Sequence, residues 1–280
     1  MVTVNSISGG KTSAYMAAHY PADYNVFCLV RIEDEDCRFK DEKIRLLVED
    51  RIQAPFIGTA EDDMIIYTML DLEQYLGKEI TWLTGLTYEE VIRTKGGWLP
   101  NKLHRYCTTW LKIEPQVQWW YKNFAPNPIE MRIGYRAKEG KRVRRMKDRL
   151  NKDGVLEYKA TFEKHPNGDN KWDTVAWQTP KFPLTRVNKD TIVEYWQNKP
   201  VRFAAYNNCV GCFHRNPLFL NKMYQLHPHK IQWFANQEKG RGGKGTWRSD
   251  TTYEGLIKFK PQFELMFEDF GSCDTGGCTD

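Results

Sequence analysis

Long apolar runs are missing from this chain of 280 residues. The longest, such as Val26–Val30 and Met64–Ile66, fall far below the ~18–20 residues that a membrane-spanning helix needs. A helical membrane protein is therefore excluded. Internal repeats, heptads and low-complexity tracts are absent too, which argues against a solenoid or a coiled coil. The opening residues 1–13 lack the charged start, apolar run and small-residue cleavage site of an export signal, so a cytoplasmic protein is expected. Charge of one sign is in short supply, with 41 Lys and Arg against 36 Asp and Glu and a net charge of +5. Affinity for nucleic acid would have to come from local clusters. The cysteine count, 7, is odd. In a reducing compartment this points to metal or catalytic thiols rather than to a disulfide framework.

What is present suits a folded domain. Hydrophobic residues make up 41% of the chain, and 10 Trp, 14 Tyr and 14 Phe can fill a large core. Short apolar runs alternate with helical patterns through the first sixty or so residues, the mark of a parallel α/β sheet. Val2–Ile7, Tyr24–Val30 and Ala54–Gly58 read as strands, and Ile129–Tyr135 as another. Helices are expected over Ser13–His19, Lys40–Ile52 and Glu61–Leu76. Gly154–Trp177, with Asn167-Gly168 as its turn, predicts a β-hairpin inserted into that scaffold, and Asp190–Trp196 a helix. The expected architecture is a Rossmann-like, doubly wound parallel sheet. Its divisions are a nucleotide-binding part over 1–150, the hairpin and return to the core over 151–205, and a cysteine-rich helical region over 206–280.

Ser8-Gly9-Gly10-Lys11-Thr12-Ser13 lies between the first strand and its helix. Glycines let the backbone turn and approach a ligand closely. The amides that open a helix lack partners, so an anion fits there. The Walker spacing that ends in Gly-Lys-Ser/Thr is not present. A second positive cluster runs from Arg132 to Arg149, with nine Lys or Arg and only two acids. Its outer residues are equally well explained as a solvated helix face.

The Ser-Gly-Gly-x-x-Ser loop resembles the signature of the PP-loop superfamily of adenine nucleotide α-hydrolases. More narrowly, the chain resembles the phosphoadenylyl-sulfate (PAPS) reductase family, in its phage and bacterial branch, which is related to the DNA phosphorothioation sulfurtransferases. Arg105-Tyr106-Cys107-Thr108-Thr109-Trp110-Leu111-Lys112-Ile113-Glu114-Pro115 matches that family's R-x-C-T-x-x-L-K-x-x-P. Ile133-Gly134-Tyr135-Arg136, with Glu139 and Arg142, matches I-G-x-R-x-x-E-x-x-R, and Glu35 matches the acid of the second-strand segment. The resemblance implies a nucleotide site made of Ser8, Gly9, Gly10, Lys11, Thr12, Ser13, Glu35, Gly134, Arg136 and Arg142. It implies that Lys11, Arg105, Lys112 and Arg136 act on the phosphates. Guanidinium suits bidentate phosphate contacts. ATP, or adenylyl sulfate (APS) or PAPS, is the expected nucleotide. Mg²⁺ would bridge the phosphates, with Glu35 as a carboxylate partner.

Cys209-Val210-Gly211-Cys212 is a C-x-x-C, a spacing that lets two thiolates hold one metal or cluster. Cys107 is a third candidate ligand. Cys278 is a fourth, with Cys273 as its alternative. The resemblance implies a [4Fe–4S] cluster, because Cys107 falls inside a family motif. Tyr106-Cys107 stands where cluster-bearing reductases have a double Cys. Structural Zn²⁺ on Cys209, Cys212, Cys273 and Cys278 is the competing expectation. Cys28 reads as a core residue and Cys37, in an acidic run, as an exposed thiol.

Three functions follow from these residues. The first is an enzyme that cleaves ATP to AMP and pyrophosphate and passes sulfur to an acceptor, for which nucleic acid suits the basic stretches 132–149 and 239–248. A sulfur-donor protein would then be a partner. The second is an APS/PAPS reductase that releases sulfite, although the family's C-terminal E-C-G-I/L-H motif is absent. The third is a non-catalytic nucleotide- or nucleic-acid-binding module with structural zinc. It is suggested by Thr12 in place of the Asp common among ATP-cleaving members.

Overall fold

The computed structural model describes residues 1–207, 209–240 and 245–259. In chain order, β1 (Thr3–Ile7) leads to α1 (Lys11–His19), β2 (Tyr24–Cys28), β3 (Arg31–Ile32), α2 (Glu42–Ile52) and β4 (Gly58–Thr59). Then come α3 (Met64–Leu76), β5 (Ile80–Leu83), α4 (Tyr88–Thr94) and α5 (Tyr106–Thr108). A π-turn over Thr109–Ile113 carries α5 into α6 (Glu114–Phe124), followed by β6 (Ile129–Arg132) and α7 (Gly140–Lys147). The rest is β7 (Leu156–Lys164), β8 (Asn170–Lys181), α8 (Lys189–Trp196), α9 (Pro217–Leu226), α10 (Pro228–Lys239) and α11 (Tyr253–Lys258).

The main sheet has six strands in the order β5-β2-β1-β6-β8-β7. All neighbours run parallel except β7, which is antiparallel to β8 at the rim. Side chains alternate across the sheet with period two. Val4, Val26 and Met131 therefore face α6 with Val117 and Trp120, while Ile7 and Phe27 face α1, α3 and α8 with Met16, Met69 and Trp196. Helices cover both faces, so the chain is an α/β protein with a mostly parallel, Rossmann-like sheet. A third core gathers α4, α9, α10 and α11 around Trp233, Phe234, Trp247 and Tyr253. No helix among the described residues is long and apolar enough to cross a membrane.

Local chemistry sets the element ends. Asp41 caps α2 by accepting from the amides of Lys43 and Ile44, and Thr87 and Glu90 form a reciprocal capping box on α4. Asn216 caps α9 ahead of Pro217, whose ring suits the first helical position.

One sequence expectation changes. Residues 54–58 do not form a third sheet strand. Only Gly58–Thr59 is extended, and it pairs antiparallel with Arg31–Ile32 in a separate two-stranded sheet. The carbonyls of Pro55, Phe56 and Ile57 are instead taken by Arg31, Arg45 and the Phe39 amide, which leaves none for a neighbouring strand. The hairpin over 154–177 leaves from the edge of the main sheet, its strands pairing with each other. Its second strand pairs parallel with β6 from Ile129↔Gln178 to Arg132↔Lys181 and completes the main sheet, and α8 packs on α1. The residues after the hairpin thus pack on the fold of 1–150.

Candidate functional site

The order of strands reverses at β1, since the chain first builds outward to β2 and β5 and then returns to place β6 on β1's other side. In open α/β sheets ligands bind at such a switch point, outside the carboxyl ends of the strands. A cavity of about 630 Å³ opens there, within the size range of small-molecule sites. Its floor is the loop after β1. Gly9 has φ 78°, and a Cβ on it would stand 2.5 Å from Ile65 Cγ2, so the turn admits only glycine. Gly10 is the N-cap of α1 and has no side-chain cap, which leaves the helix amides open toward the cavity. The Ser13 hydroxyl accepts from the Ser8 amide at 3.1 Å and donates to the Gly10 carbonyl at 3.1 Å, fixing the loop's shape.

The far wall is the loop after β6. Gly134 lies against Thr12 and Ser13, where a Cβ would be 3.3 Å from Thr12 Cγ2. Arg136 and Arg142 enter the cavity and share Glu139, at 3.1 Å and 2.5 Å respectively. Burial alone would raise the Glu139 carboxyl. The Arg136 amide and the two guanidiniums outweigh it and hold the group below its ordinary value. Arg142 also stacks over the Tyr135 ring at 4.4 Å. The third wall is α8, tied to the loop by Trp196 Nε1 donating to the Lys11 carbonyl at 3.0 Å. It adds Lys189, and Lys199 follows it, so among the described residues the lining holds Lys11, Arg136, Arg142, Lys189 and Lys199 against one acid, Glu139. The two lysines carry no motif. Only their position flanking the Ile192/Trp196 face of an amphipathic helix could have drawn attention to them.

Arg105 and Lys112 are not in this lining. They line a second, smaller cavity of about 50 Å³ together with Cys107, Cys209, Cys212, Tyr88 and His214. The three thiols named from the sequence therefore do converge, though among the described residues no three of His, Cys, Asp and Glu form a metal-binding group as they stand. Burial raises the thiols of Cys107 and Cys209, and it raises the Tyr88 hydroxyl well above its usual value. Cys273 and Cys278 lie outside the described residues.

Glu61, which no motif marked, supports this second site. It is only 1% exposed, and its backbone bridges to Cys209. Its Oε1 accepts from Lys112 Nζ at 2.8 Å, and its Oε2 has no hydrogen-bond partner among the described residues. Lys230 reaches the Glu61 carbonyl and, at 2.7 Å, Asp63 Oδ1. Arg248, expected in a basic loop, is buried. It donates to the carbonyls of Phe213 and Arg215 and bonds Asp250, which anchors the segment after the C-x-x-C.

Two further expectations resolve differently. Glu35 sits on a short 3₁₀ turn paired with Arg38 at 2.7 Å, exposed and outside both cavities. Cys37, on that same turn, is buried at 4% exposure rather than exposed, and burial pushes its thiol up to about 12. Cys28 is a core thiol as expected, likewise pushed up to about 12 by burial.

These features define the class: an α/β protein with an anion-suited cavity at its switch point and a thiol cavity beside it. Comparison of the chain with protein-family models, curated proteins and solved structures returned no match.

Proposed function

We propose that the chain is an enzyme of the PP-loop, PAPS-reductase-like kind that binds ATP in the switch-point cavity and cleaves it between the α- and β-phosphates. The observation that carries this reading is the uncapped start of α1 opening onto a cavity lined by five cations. Backbone amides at a helix N-terminus favour negative charge, and the guanidiniums of Arg136 and Arg142 suit phosphate oxygens. An acceptor oxygen attacks the α-phosphorus and pyrophosphate leaves with the electron pair; a sulfide-level sulfur nucleophile from the donor protein then attacks the acceptor carbon, and AMP leaves with the electron pair of the broken C–O bond. Lys11, Arg136 and Arg142 stabilise the charge that develops on the phosphates. Mg²⁺ would be held by the phosphates and water, since Glu35 lies outside the cavity lining and Glu139 is engaged by two arginines.

Cys107, Cys209 and Cys212 would hold a metal group, and thiolate donors suit iron–sulfur or zinc. An iron–sulfur cluster would supply sulfur- or electron-carrying chemistry, whereas zinc would be structural. The chain's own contribution is to bury these thiols beside the Glu61–Lys112 pair. A reducing cytoplasm suits such free thiols. For the acceptor, nucleic acid is supported by the exposed cations Lys141, Arg144, Arg145 and Lys147 on α7, which starts at the cavity rim.

Incubation with ATP, Mg²⁺ and single-stranded RNA or DNA should release pyrophosphate, and Lys11→Ala should lower release by about tenfold or more, as loss of a charged contact does. Absence of both ATP binding by calorimetry and pyrophosphate release would overturn the reading. A second reading, an APS or PAPS reductase, is favoured by the lack of an unengaged carboxylate in the cavity lining among the described residues. Sulfite released from a sulfonucleotide, without pyrophosphate from ATP, would select it.

A further inference from the structure

One stretch of chain borders both cavities. Phe203, Ala204 and Asn207 line the switch-point cavity, while Cys209, Gly211 and Cys212 line the thiol cavity. Asn207 is where this stretch meets the loop after β1. Its Nδ2 stands 2.3 Å from the place a Cβ on Gly10 would take, so the side-chain amide rests directly on the Gly10 backbone. Its Oδ1 is buried and accepts no hydrogen bond among the described residues. A buried amide oxygen of this kind gains when a donor arrives, and a hydroxyl, an amino group or a water carried by a bound nucleotide can supply one.

The main chain at Asn207 is tied to the cysteines by one side chain. Arg215 Nη2 donates to the Asn207 carbonyl at 2.5 Å and Arg215 Nε to the Cys209 carbonyl at 3.4 Å. The Val210 amide in turn donates to the Ala60 carbonyl at 2.8 Å, which registers the C-x-x-C against Glu61. A displacement of the Asn207 amide therefore bears on Arg215 and, through it, on the Cys209 carbonyl. On one side it meets the glycine backbone, and on the other an arginine holding both carbonyls.

We infer that Asn207 is a positioning residue that couples occupancy of the loop after β1 to the placement of Cys209 and Cys212. It does so by contacting bound nucleotide at Oδ1 and shifting the chain that carries the thiols. The inference rests on the nucleotide reading above and adds a coupling between two sites that the reading alone does not require. A ligand moves such an equilibrium only through a contact that differs between the two states, and Oδ1 is that contact.

The test measures alkylation rates at Cys209 and Cys212 by mass spectrometry in the protein as purified. It is done with and without a saturating non-hydrolysable ATP analogue, using the buried Cys28 and Cys37 as internal references. In the wild-type chain the analogue should change the Cys209 and Cys212 rates by about fivefold or more, the lower end of site-to-site couplings. In Asn207→Ala, at analogue concentrations shown by calorimetry to saturate that variant, the change should fall below about twofold. Gly10→Ala should shift the same rates without any nucleotide, because its methyl group displaces the Asn207 amide. Near-ultraviolet circular dichroism confirms that each variant is folded. Bound analogue with unchanged rates in the wild type, or an equal change in Asn207→Ala, overturns the coupling and leaves the nucleotide reading standing. An analogue that fails to bind the wild type overturns both.

Discussion

The two cavities lie side by side but solve opposite physical problems. The switch-point cavity is wide, polar and built for charge that arrives from outside: its amides are fixed in place, its glycines leave no bulk, and its cations outnumber its one acid. The thiol cavity is small and walled by Val30, Leu111, Phe213 and Phe234. The charge beside it is already matched, with the Glu61 carboxylate against Lys112. One site gains energy when a ligand binds. The other holds a buried ion pair, whose charges have no water to fall back on if either partner is lost. Substitutions should therefore act differently in the two places, on affinity at the first and on folding stability at the second.

The largest effect is expected at the thiol site. Lys112→Met leaves the Glu61 carboxylate buried and uncompensated, which should cost about 3–5 kcal/mol in urea denaturation. Adding Glu61→Gln to that variant should recover a large part of the loss, and a double-mutant cycle measures the coupling. Simple additivity of the two changes would show that the pair is not matched charge.

A smaller loss is expected at the switch point. Gly9→Val imposes a positive φ on a β-branched residue and drives its side chain into Ile65, for about 2–4 kcal/mol of stability. Nucleotide affinity should fall more steeply than stability, since the α1 amides are re-aimed. Calorimetry together with thermal unfolding separates the two. Equal nucleotide affinity in Gly9→Val and wild type would break the comparison.

The smallest effect is a pH slope in the core. Burial pushes the Cys28 thiol up to about 12, from an ordinary value of 9.0. Below the ordinary value the thiol is protonated in both folded and unfolded chains. As pH rises from about 9 toward 12 only the unfolded chain releases the proton, so stability falls by at most about 1.4 kcal/mol per pH unit from this group. Cys28→Ala should flatten the fall in urea midpoint between pH 8 and 10 relative to wild type. Identical slopes would mean that Cys28 contributes nothing.

What could be read from the chain and what could not divides along the same line. The loop after β1 is a local signal: an apolar strand, two glycines and hydroxyl residues ahead of a helix, all within a dozen positions. Arg136 and Arg142 follow β6 in the same local way. The thiol site joins Tyr88, Cys107, Cys209 and Glu61 from separate elements, and only its cysteines announce themselves by residue type. Glu61 looks like any acid in Glu61-Asp62-Asp63 until the fold buries it. Glu35 was misleading because Arg38, three residues on, takes its charge, and Cys37 because its acidic neighbours face water while its thiol turns inward. The hairpin could be read because its tight turn is local, whereas the pairing of Gln178–Lys181 with β6 leaves no trace in either segment.

The rim formed by β7 has a consequence of its own. An unpaired outer edge offers a row of amides and carbonyls on which a second molecule could extend the sheet. Here register slips between Leu156 and Glu157 and again between Thr161 and Glu163, and Glu157, Lys159, Glu163 and Lys164 stand exposed along it. Such breaks and charges deny an incoming strand any regular ladder, so the hairpin can project into solvent without seeding fibres.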